Sequence, residues 1–456
     1  MTRDLSAIFK AYDVRGLYPS QLDGEASRRI GSAFARFCGG DRIAMGRDMR
    51  LSSEALAAAF REGAAGEGFA VVDLGLVSTD ALYFGSGELD LPAVMFTASH
   101  NPPEYNGLKL CRQRAAPIGA DSGLKEIQAL AESADRQGSA DPSPGLAPAE
   151  TVEILERYAT HCRGLIETKS LAPLKVAIDA GNGMAGRTVP IVFEPLPLEV
   201  VPLFFELDGT FPNHLANPIE SENLKDLQRV VTEQGCDLGI AFDGDADRIF
   251  LVDEAAALVS GSLTTALVAE RLLQKHPGES VIYNLICSWT VPEVIAENGG
   301  TPIRSRVGHS FIKKLMAETG AIFGGEHSGH YYFRDNFRAD SGMIAALLVL
   351  EAMSETGQAL SKLLAPFRRY EASGEINFEV PDQAAAMDLL GQRYSDGRQD
   401  RVDGLTVAYE DWWFNCRPSN TEPLLRLNLE ARTAQLLQEK VAEVSTLITG
   451  GADGDR

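Results

Sequence analysis

Three apolar, strand-like runs each break into a loop of chemically reactive residues, and this recurrence constrains the fold more than any other feature. They are AVMF into TASHNP at 93–102, LGIAF into DGDADR at 238–248, and AIF into GGEHSGH at 321–330. Each is preceded by another strand-like run some 40 to 65 residues earlier, as three similar α/β domains in series require. Short β-rich runs alternate with helical patterns between them, as in RIAMG followed by SEALAAAFREGAAGEG, which predicts helices on both faces of mainly parallel sheets. In open sheets of this kind ligands collect where strands end and loops begin. The predicted class is α/β: three tandem similar domains around a central cleft, each presenting one loop to it.

The stretch SADRQGSADPSPGLAPAE at 133–150 is rich in Ser, Pro, Gly and Asp and reads as the first linker. A second break is expected near Glu254. After PFRRYEASGE the texture changes: INFEV, a helix from 382 to 395, GLTVAYEDWWFNCRPSN, LLRLNLEA and a terminal helix predict a smaller C-terminal α+β domain. A flexible connection is expected near Ser373–Gly374, and the tail GADGDR is expected to fray. The expected units are 1–150, 151–254, 255–368 and 369–456.

A formal charge of −22 argues against general affinity for nucleic acid or anionic membrane, so any anionic ligand must be held by local basic clusters. The opening MTRDLSAIFKAYDVRG lacks the apolar core of a signal peptide. MIAALLVLEAM at 343–353 is too short to span a bilayer and predicts a buried helix. The six cysteines form no C-x-x-C pair, which points to neither a disulfide framework nor a zinc site and fits a reducing cytoplasm.

Ser99 stands where a buried strand gives way to a turn, and taken alone it can be a turn residue, a helix cap or a nucleophile. In DGDADR, alternating Asp243, Asp245 and Asp247 suit a hard divalent cation with oxygen ligands, Mg²⁺ being the natural candidate; a solvated acidic turn is the alternative. An EF-hand fails on context, because Arg248 stands where a sharp-turn glycine is needed and IFLVD reads as a strand. GGEHSGH offers Glu326 to sugar hydroxyls and glycines for close backbone approach, or is an ordinary surface loop. His309 by itself packs or caps a helix start beside Ser310. RPSNTEP at 417–423 has the donors of a phosphate or carboxylate clamp, or is a turn that contains an arginine. Tyr12 and Arg15 in FKAYDVRG gain meaning only beside a phosphate site.

FKAYDVRG, TASHNP, DGDADR, GEHSGH and RPSNTEP, in this order and spread along nearly the whole chain, resemble the α-D-phosphohexomutase family. The resemblance implies three similar α/β domains and a C-terminal domain closing over a central cleft. It implies that Ser99 is phosphorylated in the resting active enzyme and that Mg²⁺ is held by Asp243, Asp245, Asp247 and an oxygen of phospho-Ser99. Lys109 and His309 match positions implicated in proton transfer or phosphate handling, with the acid and base roles open between them, and His100 and Arg248 are implied beside the reacting phosphoryl group. Tyr12, Arg15, Glu326, Ser328, His330, Arg417, Ser419, Asn420 and Thr421 match substrate-binding positions. The implied reaction moves phosphate between O6 and O1 of a hexose through a 1,6-bisphosphate, on small hexose phosphates, in a monomer or weak homodimer.

GEHSGH with SNTEP looks more like the phosphomannomutase/phosphoglucomutase branch than the phosphoglucosamine mutases, which show GEQSGH-like and SGTEP loops. That implies mannose 6-phosphate and mannose 1-phosphate, with the glucose phosphates beside them. Ile286, in YNLICSW, departs from relatives that often place Lys or Arg there. The other readings are a phosphoglucosamine mutase, a sugar-phosphate phosphatase and a non-catalytic sugar-phosphate binder. A pure binder needs neither a phosphoryl carrier nor a metal.

Overall fold

The structure, a computed structural model, describes residues 4–133, 150–419 and 424–450. Most of the expected linker (134–149), the tail 451–456, and Asn420 and Thr421 lie outside the described residues.

Among the described residues the chain builds four sheets. In the first, Arg42–Arg47 lies between Ala70–Leu76 and Ala93–Phe96, all parallel, and Tyr105–Arg112 returns antiparallel beside Ala93–Phe96. In the second, Leu174–Asp179 lies between Leu198–Leu203 and Leu238–Phe242, and Ile249–Asp253 returns antiparallel. The third repeats this with Ser280–Asn284 between Thr301–Ser305 and Phe323–Gly325, and Tyr331–Phe333 returning. The three reactive loops therefore occupy one topological position, the turn from the third parallel strand into its antiparallel neighbour. The strands that launch them are buried along their length, as unbroken apolar runs covered on both faces require.

Helices Gly24–Cys38 and Ser53–Gly66 pack closely because two glycines remove the side chains between them. A Cβ on Gly31 would lie 2.2 Å from Phe60 O, and one on Gly63 1.9 Å from Arg28 O. The apolar run near 343 is the buried helix Gly342–Thr356, capped by Ser341 and closed by left-handed Gly357. Among the described residues no single helix is long and apolar enough to cross a membrane.

Two details refine the expected divisions. The second sheet continues past Glu254: Asp253 accepts from the amides of Ala255 and Ala257, and this tight turn returns Leu258–Val259 to the sheet. Ser373–Gly374 is a bulge inside strand Glu371–Phe378, not a connection between units. Gly374 takes φ +68°, the left-handed conformation a bulge uses, so its composition reads like a hinge.

The last unit is an antiparallel sheet covered by helices Gln383–Arg393 and Ala434–Gly450. It docks on the third unit through polar contacts. Arg304 pairs with Asp400 at 2.6 Å, the Val307 amide donates to Asp403 at 3.0 Å, and Glu430 accepts from the Trp289 amide and the Trp413 indole, both at 2.9 Å.

Candidate active site

The Ser99 loop is built to expose one hydroxyl. Ser99 has φ +50°, an uncommon conformation for a residue with a side chain, and its amide donates to Thr97 Oγ1. Its Oγ donates to Asp243 Oδ2 at 2.6 Å, bridging the first and second units. Arg248 Nη2 lies 3.2 Å from the same Oγ and donates to His100 Nδ1 at 2.5 Å. A guanidinium only donates, so Nδ1 of His100 carries the lone pair and its proton sits on Nε2. Burial and the Arg248 charge both hold His100 well below its usual pKa.

The acidic loop sits directly against Ser99: a Cβ on Gly244 would lie 2.5 Å from Ser99 O. Asp243, Asp245 and Asp247 are fully buried, and one oxygen from each converges within 4.8 Å of the others. Lys109 Nζ donates to Asp245 Oδ2 at 2.7 Å and Asp247 Oδ2 at 2.6 Å. Burial alone would push this ammonium down, but the two carboxylates overrule it and hold it well above its ordinary value. Burial also pushes Asp247 up, with Asp245 adding to the shift, while Lys109 pulls Asp245 down against its own burial. Asp245 Oδ1 and Asp247 Oδ1 remain buried without a hydrogen-bond partner. Orphaned anionic oxygens in an all-carboxylate set fit a hard divalent cation.

The third loop is tied to its neighbours through Arg248, which forms a β-bridge with His330. Glu326 is buried and accepts from the Gly308 amide at 3.1 Å, Asn284 Nδ2 at 3.3 Å and the Tyr332 hydroxyl at 2.6 Å. Ser328 Oγ lies 3.0 Å from His330 Nδ1. His309 opens helix His309–Thr319 and packs edge-on against Tyr12 at 5.2 Å. Tyr12 donates to Val307 O and fills the space where a side chain on Gly308 would stand. Burial lowers both imidazoles, with Lys313 adding to the effect at His309 and Arg248 at His330.

Arg15 reaches Asn101 of the serine loop at 2.5 Å and pairs with Asp13 at 2.6 Å. In the fourth unit Arg417 is buried and bonds Glu375 at 3.0 Å, while its Nε has no hydrogen-bond partner among the described residues. The Ser419 amide donates to Leu424 O at 2.8 Å. Ile286, also buried, lines a cavity of about 200 Å³ between the third and fourth units, with His327 and Glu430. The structure thus gathers Ser99, His100, Lys109, Arg248, His330 and the three aspartates into one cluster. Tyr12, His309 and Glu326 form an adjoining wall, and Arg417 comes from the docked fourth unit.

Arg50 is a part of the site that the sequence motifs do not mark. It is buried, and its guanidinium donates to the backbone oxygens of Ser99, Asn101, Pro102 and Tyr105 at 2.6–3.0 Å. Its Nε lies 3.3 Å from Asp48, and its guanidinium lies 5.1 Å from the centre of the Phe211 ring of the second unit. One side chain therefore holds the whole serine loop. The Phe211 segment is anchored by His214, whose Nε2 faces Asp179 Oδ2 at 3.0 Å and whose Nδ1 faces Leu215 O at 2.9 Å. Both partners are acceptors, so both ring nitrogens donate.

Sequence models of the phosphoglucomutase/phosphomannomutase alpha/beta/alpha domains I, II and III match residues 6–138, 156–256 and 260–370, and the C-terminal domain of the same family matches 375–447. A phosphomannomutase of Salmonella montevideo is 40% identical over 450 residues, spanning 96% of this chain and 98% of the relative. A protein named phosphohexose mutases from Xanthomonas campestris pv. campestris (strain B100) is also 40% identical, spanning 97% and 99%. A crystal structure of a phosphoglucomutase/phosphomannomutase family protein from Burkholderia thailandensis superimposes with a TM-score of 0.88 at 32% identity, spanning 100% of this chain and 99% of the other.

Proposed function

The chain belongs to the phosphoglucomutase/phosphomannomutase family, and we propose that it interconverts mannose 6-phosphate and mannose 1-phosphate, with the glucose phosphates as further substrates. The carrying observation is Ser99 itself, a hydroxyl on a strained turn, 2.6 Å from an aspartate of the buried acidic loop and 3.2 Å from the Arg248 guanidinium. The names of the relatives support mannose as the sugar.

Ser99 carries the phosphoryl group. The O1 hydroxyl of the bound 6-phosphate attacks the phosphorus, the bond to Ser99 Oγ breaks, and a hexose 1,6-bisphosphate forms. The sugar turns over in the cleft, Oγ takes the phosphate from O6, and the 1-phosphate leaves. The proton given up by O1 goes to a base and is restored to O6 in the second half. Lys109 cannot accept it while its ammonium bridges two carboxylates. Nδ1 of His100 is committed to Arg248. His309 and His330, kept neutral by burial, hold a lone pair for that proton.

Asp243, Asp245 and Asp247 would hold Mg²⁺ with an oxygen of phospho-Ser99, and the ion would polarise the phosphoryl group as a Lewis acid. Arg248 adds fixed positive charge beside the transferring group, the electrostatic part of phosphoryl transfer. Arg15, Tyr12, Glu326 and Ser328 contact the sugar phosphate, and Arg417 with Ser419, Asn420 and Thr421 grips the phosphate at its far end. The setting we assign is the cytoplasm, as a monomer or weak homodimer, with units divided at 150, after Val259 and at 368. A coupled assay on mannose 1-phosphate, glucose 1-phosphate and glucosamine 1-phosphate, primed with a trace of bisphosphate, tests the reading. Preference for glucosamine 1-phosphate would overturn the sugar assignment, and release of inorganic phosphate in place of isomer would overturn the mutase.

A further inference from the structure

A second cavity, of about 430 Å³, lies between the first and third units, and neither Ser99 nor the acidic loop lines it. This volume is within the range of small-molecule sites. Its walls are largely apolar, with the rings of Tyr12, Phe311 and Phe337 among small residues of the 115–120 segment. Its charge is unlike that of the chain as a whole: Arg306, Lys313, Lys314 and Arg338 line it against a single carboxylate, Asp121, on a protein whose formal charge is −22.

The four cations are not equivalent. Lys313 is buried and neutralised by Asp340 at 2.6 Å, and Lys314 faces Glu318 at 3.9 Å. Arg306 and Arg338 form no ion pair among the described residues; the guanidinium of Arg306 only lies over the Phe311 ring, 4.6 Å from its centre. Phe337 and Arg338 are consecutive residues with φ +54° and +62°, a strained conformation that side chains avoid unless their surroundings impose it. Two unneutralised guanidinium groups, one of them over the Phe311 ring, match a ligand that is anionic at one end and flat at the other.

We propose that this cavity is a second binding site, which takes a nucleotide with a diphosphate on Arg306 and Arg338 and the base against Phe311. Tyr12 connects it to the active site, since the same ring lines the cavity and packs on Gly308 and His309. The occupant touches both the first and third units and so fixes the cleft between them, which slows turnover without competing for substrate. A hexose 1-phosphate is consumed chemically by nucleotidyl transfer, so a nucleotide here would report on the reaction that follows. This kinetic consequence rests on the mutase reading; the binding itself does not.

Binding of GDP, ADP and UDP to the full chain is measured by calorimetry, with and without saturating mannose 1-phosphate. At least one is expected to bind with a Kd of about 1 mM or tighter, unchanged by the sugar phosphate, and to lower kcat but not raise KM. Arg306→Gln with Arg338→Asn should weaken that nucleotide by roughly 10-fold or more, with turnover in its absence near wild type. Lys314→Glu, an exposed change, should weaken it in the same direction. Inorganic pyrophosphate, which lacks a base, should bind at least about tenfold more weakly. The proposal is overturned if none of the three nucleotides binds, if mannose 1-phosphate displaces the one that does, if pyrophosphate binds equally well, or if the variants bind as wild type. Normal binding with unchanged kcat would overturn only the coupling to turnover.

Discussion

Ser99 Oγ and Asp243 Oδ2 stand 2.6 Å apart although 144 positions separate them in the chain. The serine hydroxyl of one unit thus points at the acidic loop of the next. Ser99→Ala should lower turnover by at least about a thousandfold, because the hydroxyl proposed to carry the phosphoryl group is lost. Intact mass spectrometry should find a phosphate on the wild type and none on the variant. Full activity in a protein without that phosphate, unstimulated by hexose 1,6-bisphosphate, would remove Ser99 from the mechanism.

Exhaustive chelation should abolish turnover, and Mg²⁺ should restore it. Asp245→Asn should weaken metal binding by at least about tenfold, since one hard anionic ligand is lost. Titration of Mg²⁺ into both proteins, followed by activity and by calorimetry, checks this.

Arg50→Ala should destabilise the protein by about 3–5 kcal/mol, because Asp48 would remain buried without its partner and four loop oxygens would lose their donor. The folded fraction should also accept phosphate on Ser99 poorly. Urea unfolding and peptide mapping on one preparation give both readouts. A loss of stability with normal phosphorylation would make Arg50 a packing residue only.

The three reactive loops were legible in the sequence because a buried strand running into a polar turn is a local pattern. Arg50 was not legible. GRDMRLSS reads as an ordinary basic turn, and the meaning of Arg50 comes from a chain reversal that brings residues 99 to 105 around it. Ser373–Gly374 misled for another reason, since a bulge and a hinge use the same residues. The orienting bonds on Glu326 were equally hidden, because Gly308, Asn284 and Tyr332 reach it from three separate elements.

Arg417→Ala should lower kcat/KM by roughly 10- to 150-fold if a charge-assisted contact of about 1.5–3 kcal/mol is lost from both complex and transition state. More free bisphosphate should also escape per turnover. If Arg417 serves only its bond to Glu375, thermal stability should fall instead, with nearly normal kinetics. Measuring leakage, kinetics and melting together separates the two.

His214 donates from both nitrogens, and although burial alone would lower its pKa, the Asp179 carboxylate raises it. A raised folded-state value means that its stabilisation is complete below the unfolded value of about 6.5 and is lost as pH climbs through the folded one. The stability advantage of wild type over His214→Gln should therefore be greatest in mild acid and shrink above about pH 6.5. Urea unfolding across that interval tests the sign; an advantage that grows with pH would show that His214 is neutral in the folded protein.

Lys109, with its ammonium between Asp245 and Asp247, is an incumbent. Asp245 Oδ1 and Asp247 Oδ1 stay open beside it, so an arriving divalent ion meets carboxylates whose charge the lysine already partly balances. Stripping the metal would then leave a neutralised, intact site and a protein that melts almost where it did before. Inactivity and unfolding become separate events, and a preparation could lose its chemistry with no visible change in its shape.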